Sequence, residues 1–529
     1  MKATYIDYSD TNSFSNTLLA YLSGEQNLSP FYGNRPDYSG FKDQLSKKQN
    51  FAHRRLLTKI LKQQYGDLLE TSPEVAKQIA LLGDEKTFTV TTGHQLNIFT
   101  GPLYFIFKIV TAIRLAKDLK DQFADHEFVP VYWMASEDHD FEEINHTRVY
   151  GKKITWERES GAATGRMDTA TMEQVVKQYC NTFGLSENAS TLTRLVKHAY
   201  LEGRNLADAT RVFVNSLFGE FGLVIIDADH PELKKQFAPI MKEDILHERS
   251  FEAITKTTTS LINANYGSQI NPREINFFYL TDDFRERIVR NEDGRFEVLH
   301  QDLFFTQAAL EKEIATHPER FSPNVVMRPL YQEVILPNLC YIGGGAEIVY
   351  WLQLKANFDQ YNTVFPILVP RNSAMITEDQ VVGKIFRLDL TFKSIFKPTI
   401  TLKNEYVRRS TKHRLNLQDE WMEFNAIFAK IKLRTHKIDP SLAPSAEAVK
   451  ARLKKAINNL EKKLLKAEKH NYEEALIQIE RVKDKLFPQG GLQERSENFA
   501  VLYLKHGDRF IPDLIDSFNP LDFKFTILY

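Results

Sequence analysis

Short apolar runs that end abruptly in polar residues recur along this chain, separated by stretches with apolar residues at helical spacing. The first run, Thr87-Phe-Thr-Val-Thr-Thr-Gly-His-Gln-Leu-Asn97, is β-prone and closes on Gly93, His94, Gln95 and Asn97. The second, Val129-Pro-Val-Tyr-Trp-Met-Ala-Ser-Glu-Asp-His-Asp140, closes on Glu137, Asp138, His139 and Asp140. Between them Phe105, Ile109, Ala112, Ile113 and Ala116 follow a helical period, which predicts a helix within residues 101–121. A strand, helix, strand unit crosses over right-handedly in nearly all cases and makes a parallel sheet, whose ligands bind beyond the carboxyl ends of the strands. Both polar clusters are therefore expected to face one pocket.

Three later runs repeat the pattern. Leu223-Val-Ile-Ile226 ends in Asp227-Ala-Asp-His230, and Val364-Phe-Pro-Ile-Leu-Val369 ends in Pro370 followed by Arg371, Asn372 and Ser373. Leu339-Cys-Tyr-Ile342 enters Gly343, Gly344 and Gly345, after which a helix carrying Glu347 is expected. Glycines allow positive φ and close backbone approach, and a helix start offers free N–H groups to an anion. Five polar strand ends predict an α/β fold, a Rossmann-like doubly wound parallel sheet core with connecting insertions. The insertions are read near residues 151–205 and 245–330, the second with a Thr-rich helix over 255–265 and a hairpin over 287–298 that turns at 291–294.

The last quarter changes character, with no Gly or Pro over residues 445–487. Leu453, Ile457, Leu460, Leu464, Ala467 and Asn471 follow spacings of four and three, and a phase shift leads into Ala475, Ile479, Val482 and Leu486. This is coiled-coil spacing with a stutter, and residues 421–433 are the expected antiparallel partner helix. The expected organisation is a core over 1–384, a C-terminal α-helical coiled-coil domain over 385–487, and a return to the core over 488–529.

At 529 residues the chain exceeds the ~250–300 over which a single core grows, so more than one unit is expected. Lys+Arg 68 against Asp+Glu 69 leaves a net charge of −1, which implies no nucleic-acid or anionic-membrane partner. The start of the chain lacks a signal-peptide pattern, and no apolar run approaches the ~18 residues of a membrane span, so a cytoplasmic protein is expected. Cys180 and Cys340 are too few for a disulfide framework or a thiolate zinc site, and read as buried, reduced thiols. His139 and His146 with Asp138, Asp140 and Glu142 could be arranged around a metal, but the spacing of zinc enzymes is absent and no metal is expected.

The ordered set Thr92-Gly-His-Gln95, Thr100-Gly-Pro-Leu-Tyr104, Trp133-Met-Ala-Ser-Glu-Asp-His-Asp-Phe-Glu-Glu-Ile-Asn145 and Tyr341-Ile-Gly-Gly-Gly-Ala-Glu347 resembles the cysteine ligases of bacillithiol biosynthesis. The resemblance covers essentially the whole chain. It implies a Rossmann-type core, a coiled coil supporting a homodimer, and the last step of the pathway, in which cysteine is joined through its carboxyl group to the amine of glucosaminyl malate. That family often carries Gln where His94 stands, so the resemblance does not require an imidazole there. The core also resembles the nucleotide-binding fold of class I aminoacyl-tRNA synthetases, but Gly-His-Gln only loosely echoes their first motif and the second is missing, which leaves an analogy of fold. No cofactor is firmly implied, and ATP enters as a candidate cosubstrate.

Amide formation needs an activated carboxylate, a deprotonated amine and stabilisation of the developing oxyanion. Asp138 or Asp140 could take the amine proton or bind the ammonium of cysteine. His139 could act as a base or donate to a phosphate, and His94 completes the catalytic candidates. Glu347 could meet sugar hydroxyls or the amine, while Arg328 and Arg371 suit the malate carboxylates. Gly93, Gln95, Asn97, Glu137, Gly343, Gly344, Gly345, Asn372 and Ser373 complete the binding set. Plainer readings stand beside these: a solvated acidic loop, a tight glycine turn, arginines in ion pairs, a core thiol at Cys340. At the level of function the alternatives are a synthetase-like nucleotidyl-transfer enzyme with another acceptor, and a dimeric coiled-coil scaffold with a vestigial pocket.

Overall fold

In the computed structural model, which describes residues 1–48 and 51–529, the five expected strands lie side by side in one sheet. They are β1 (Thr87–His94), β2 (Glu127–Met134), β3 (Val224–Asp227), β4 (Asn338–Gly343) and β5 (Ile367–Pro370), in the order β5-β4-β1-β2-β3. Every pairing is parallel, with Thr87 opposite Glu127 through His94 opposite Met134, and Tyr341 opposite Thr91. This is the Rossmann order, and the direction of strand addition reverses between β1 and β4.

The central strand is buried from Thr87 to Gly93 although half of it is threonine. Thr89 and Thr91 donate their hydroxyls to Asn338 Oδ1 at 3.1 and 2.7 Å, and Thr92 donates to the Ile342 carbonyl at 2.9 Å. The hydroxyls of Thr89, Thr91 and Thr92 are thereby satisfied across the β1–β4 pair, Thr87 Oγ1 alone of the strand's threonines being left without a partner, and these bonds favour this neighbour over an apolar strand. Helix α1 (Tyr104–Gln122) returns over the sheet with Ala112, Leu115, Ala116 and Leu119 packed on Phe88, Val90, Phe128 and Ile342. Cys340 sits in the same cluster, where burial pushes its thiol pKa far up.

The second insertion holds more than a hairpin. Leu303–Phe305, Phe296–Val298, Arg285–Arg290, Phe277–Leu280 and Phe321–Pro323 form a five-stranded antiparallel sheet in that order. The expected hairpin is its middle, turning at Gly294 with φ +75°. Its outer strands are three residues long, too short for alternation to register in the sequence.

By contact the chain divides into one unit of Met1–Ser9, Ser13–Met375 and Gly491–Leu528, and another of Asp10–Asn12, Ile376–Gly490 and Tyr529. In the first, Lys524–Leu528 pairs antiparallel with Ala3–Asp7. The second contains α6 (Gln418–Ile438) and α7 (Ala443–Glu468), antiparallel as expected, with Lys432 2.8 Å from Glu447 and the Leu417 amide donating to Glu461 at 2.7 Å. The stutter is not carried inside one continuous helix. Lys469–Tyr472 forms a 3-10 turn, whose tighter winding absorbs the phase shift before α8 (Glu473–Leu486) buries Ile479, Val482 and Leu486. Among the described residues no helix is long and apolar enough to cross a membrane.

Past β1 the backbone is strained, with Phe99, Thr100 and Gly101 at φ 52°, 70° and 62°. Asn498 holds it: its amide donates to the Phe99 carbonyl at 2.8 Å, the Gly101 carbonyl at 2.7 Å and Thr147 Oγ at 3.0 Å, and accepts from Tyr179 at 2.7 Å. Replacing Asn498 with Ala leaves these buried groups unmatched and is expected to cost about 2–4 kcal/mol, read as a lowered thermal unfolding midpoint. An unchanged midpoint refutes the clamp.

Candidate active site

At the carboxyl edge of the sheet a cavity of about 930 Å³ opens beside the β1–β4 switch point. Gly93, His94 and Gln95 line it from β1, the acidic loop Glu137 to Asp140 from β2, and Gly344, Gly345 and Glu347 from the start of α5 (Gly345–Trp351). The antiparallel sheet adds Phe278, Arg285 and Arg287. Asn97, Gly343, Asn372 and Ser373 lie behind the lining. Asn97 donates to the Glu143 carbonyl at 3.1 Å, the Gly343 carbonyl accepts from the Arg371 amide at 2.8 Å, and the Asn372 side chain donates to the Asn519 carbonyl at 3.2 Å.

The side chains on the acidic loop are held by neighbours. Gln95 bridges Asp138 Oδ2 at 2.7 Å and Glu143 Oε2 at 2.8 Å, tying the end of β1 to the loop after β2. Glu137 pairs at 2.5 Å with Lys234, a fully buried lysine on α3 (Pro231–His247). Arg285 places Nη1 2.8 Å from His139 Nδ1. Burial and then the Arg285 charge lower the His139 pKa. His94 packs edge-on to Tyr104 and against Phe105, with Nε2 buried and unpartnered. Burial, reinforced by Lys108 and Arg371, drives its pKa well below the ordinary histidine value, so it is neutral at pH 7.

On the opposite wall Glu347 is engaged twice. It accepts from the Gly344 amide at 2.6 Å and pairs with buried Lys108 of α1 at 2.7 Å; Lys108 also donates to the Gly93 carbonyl at 2.7 Å. This ion pair opposes the downward pull of burial on the Lys108 pKa. A Cβ at Gly345 would sit 2.9 Å from Leu18 Cδ2, so a larger residue there needs the Leu18 side chain to shift. Arg371 is buried and bound to Glu494 at 2.7 Å and Ser373 Oγ at 3.0 Å, with Nε left unpartnered. Arg328, at the start of α4 (Arg328–Ile335), lies over the Trp133 and Tyr341 rings, donates to Gln332 at 3.1 Å and keeps a buried, unpartnered Nη2. Of the two arginines it is the one with a whole terminal nitrogen to offer an anion.

The residues that organise this cavity but were missed in the sequence are Lys108, Lys234, Arg285 and Glu494. Only Lys108 left a signal, a lone cation inside the apolar stretch Phe105-Ile-Phe-Lys-Ile-Val110. The others gain their meaning from partners more than ninety residues away in the chain. Among the described residues no group of three or more His, Cys, Asp or Glu is placed to hold a metal ion.

The fold and cavity define a Rossmann-like α/β protein with its site at the switch point, attached to a helical coiled-coil domain. The chain belongs to the BshC family of bacillithiol biosynthesis. The family's N-terminal Rossmann-like domain matches residues 1–372 and its C-terminal coiled-coil domain residues 374–529. Relatives from Flavobacterium johnsoniae and Flavobacterium psychrophilum are each 41% identical, and one from Christiangramia forsetii is 40% identical, over 100% of this chain and at least 99% of theirs; each is named "Putative cysteine ligase BshC". A solved structure described as a "putative arginyl t-RNA synthetase" from Campylobacter jejuni is matched over 87% of this chain and 98% of its own, at 13% identity and a TM-score of only 0.21.

Beside the loop, Asp227 is raised to about 6 by burial and then by Asp229. Asp229 is held to about 2 because the charges of Lys234 and Arg166 outweigh its burial. The folded state therefore binds a proton at Asp227 between the unfolded value near ~3.9 and about 6, and stability falls as pH rises through that window. Asp227→Asn can still accept from Ser136 and the Asp229 amide. It is expected to stabilise the protein on the order of 1 kcal/mol at pH 8 and not at pH 4, read from urea midpoints. An equal effect at both pH values contradicts the burial of a charge.

Proposed function

We propose that this chain catalyses the cysteine-adding step of bacillithiol biosynthesis. It forms the amide between the carboxyl group of cysteine and the amine of glucosaminyl malate, with ATP as the cosubstrate that activates the carboxylate. The observation that carries the reading is the pairing, in one switch-point cavity, of an acidic loop with cations whose hydrogen-bonding capacity is unspent. Asp138 and Asp140 suit the ammonium of cysteine and the proton released by the attacking amine. Arg328, with Nη2 free, suits a malate carboxylate. Glu347 accepts from the Gly344 amide just before α5 and so sets its carboxylate at that wall, which suits the sugar amine or hydroxyls better than a phosphate.

In the bond-forming step the sugar amine attacks the activated carbonyl carbon, the activating group leaves with its electron pair, and the amine proton passes to a carboxylate. His139 lines the same cavity and suits an oxygen of the activated group. The setting proposed is the cytoplasm, in keeping with two free cysteines, Cys180 and Cys340.

Purified protein with glucosaminyl malate, cysteine and ATP is expected to yield the bacillithiol mass by mass spectrometry, and to lose it when any one component is omitted. Product without ATP overturns the cosubstrate. No product, combined with pyrophosphate exchange that depends on an amino acid, replaces the ligase reading with nucleotidyl transfer to another acceptor.

We also infer a homodimer formed by a second copy of the α6–α7 arm. Phe424, Ile427, Ile431 and Ile438 recur at helical spacing on α6, and are 39, 50, 39 and 82% exposed, far above the level of a monomer's packed face. Sedimentation velocity is expected to give a dimer for the wild type and a monomer, with unchanged helicity, for Ile427→Glu combined with Ile431→Glu. A monomeric wild type overturns it.

A further inference from the structure

Arg285, on the strand Arg285–Arg290, is buried and fixed by partners on Phe321–Pro323. Nε donates to Ser322 Oγ at 3.0 Å and Nη2 donates to the Pro323 carbonyl at 3.2 Å. Its guanidinium carbon lies 3.9 Å from the centre of the Phe278 ring, which also packs 5.5 Å from the His139 ring. Held this way, Nη1 approaches His139 Nδ1 to 2.8 Å. A guanidinium carries only donors and stays protonated in proteins, so a contact of this length requires a lone pair on Nδ1. The ring hydrogen then belongs on Nε2. The other tautomer and the imidazolium would each set one N–H against another.

We propose that Arg285 is a positioning residue that fixes His139 as the neutral Nε2–H tautomer, so that His139 donates a hydrogen bond to a ligand oxygen in the cavity instead of taking the amine proton. The tautomer stands on geometry alone, while the ligand oxygen, carboxyl or phosphoryl, rests on the ligase reading above. Other charges facing the ring work against the assignment and are outweighed. Asp138 Oδ1 lies 3.8 Å from Nδ1, and Asp138, Asp140 and Glu286 all favour the imidazolium, while burial and Arg285 oppose it.

Long-range proton–nitrogen NMR on the full chain with labelled histidine, the His139 signal being identified by its loss in His139→Gln, reads the tautomer directly. The neutral Nε2–H pattern is expected from pH 8 to pH 6, and Arg285→Met is expected to raise the titration midpoint by roughly one pH unit. A neutral Nδ1–H ring, or an imidazolium at pH 7, in the wild type overturns the proposal whether or not the variant folds. So does an unmoved midpoint in a folded Arg285→Met. In the ligase assay His139→Gln, which can donate but cannot serve as a base, is expected to stay within about tenfold of wild-type kcat, while His139→Ala loses about a hundredfold. Equal loss in both variants overturns the donor role. Absence of ligase activity in the wild type sinks the ligase reading and leaves the spectrum to judge the tautomer.

Discussion

Parallel pairing is the constraint on which this structure turns. Because β1 to β5 all point the same way, every strand releases its chain at one edge, and sequence-distant polar residues meet there without any specific attraction between them. The reversal between β1 and β4 sends successive crossovers to opposite sides and leaves a crevice. What selects β4 as the neighbour of β1 is polar: the Thr89 and Thr91 hydroxyls have an acceptor in Asn338. A buried hydroxyl without a partner costs more than an apolar contact returns, so this pairing fixes where the crevice opens.

Once the edge is set, buried cations arrange it. Lys108 ties Glu347 and the Gly93 carbonyl together, Lys234 draws Glu137 and Asp229 inward, and Arg371 is bound to Glu494 from the C-terminal segment. Each of these cations is nearly solvent-free, and removing its partner would strand a charge in low dielectric, a larger penalty than the pair's own net gain. The acidic wall is therefore built of carboxylates with assigned neighbours. Asp138 is shared with Gln95, while Asp140 caps the short helix Phe141–Ile144 by position without donating or accepting a cap hydrogen bond through its side chain.

Much of this was legible because strands buried on both faces have to be continuously apolar, and polar residues can return only at their ends. That rule located β2 to β5 and the glycine-led α5, while β1, half threonine, was read from its β-prone residues. It failed wherever meaning depends on a distant partner. Arg371 reads as an anion ligand at a strand end, and nothing near it in sequence announces Glu494. Arg285 opens the first strand of the expected hairpin, in an insertion whose outer strands are too short to display a period, yet it lines the cavity. Glu347 reads as a helix-end carboxylate and is one, but Lys108 makes it part of an ion pair.

On the ligase reading, the two cavity histidines narrow the choice of proton acceptor. His94 is neutral because its ring is enclosed by Tyr104 and Phe105 beside two cations, and its Nε2 is sealed from solvent. His139 is neutral because a guanidinium already occupies its lone pair. Neither nitrogen is placed to accept the proton that amide formation releases. The acceptor then falls to the carboxylates of the acidic loop, and between them Asp140 is the less committed, since Asp138 already accepts from Gln95 and from the Asp140 amide at 3.3 Å. An exposed carboxylate at the mouth of the cavity can receive a proton and pass it to water, a task for which a buried, paired group is poorly placed.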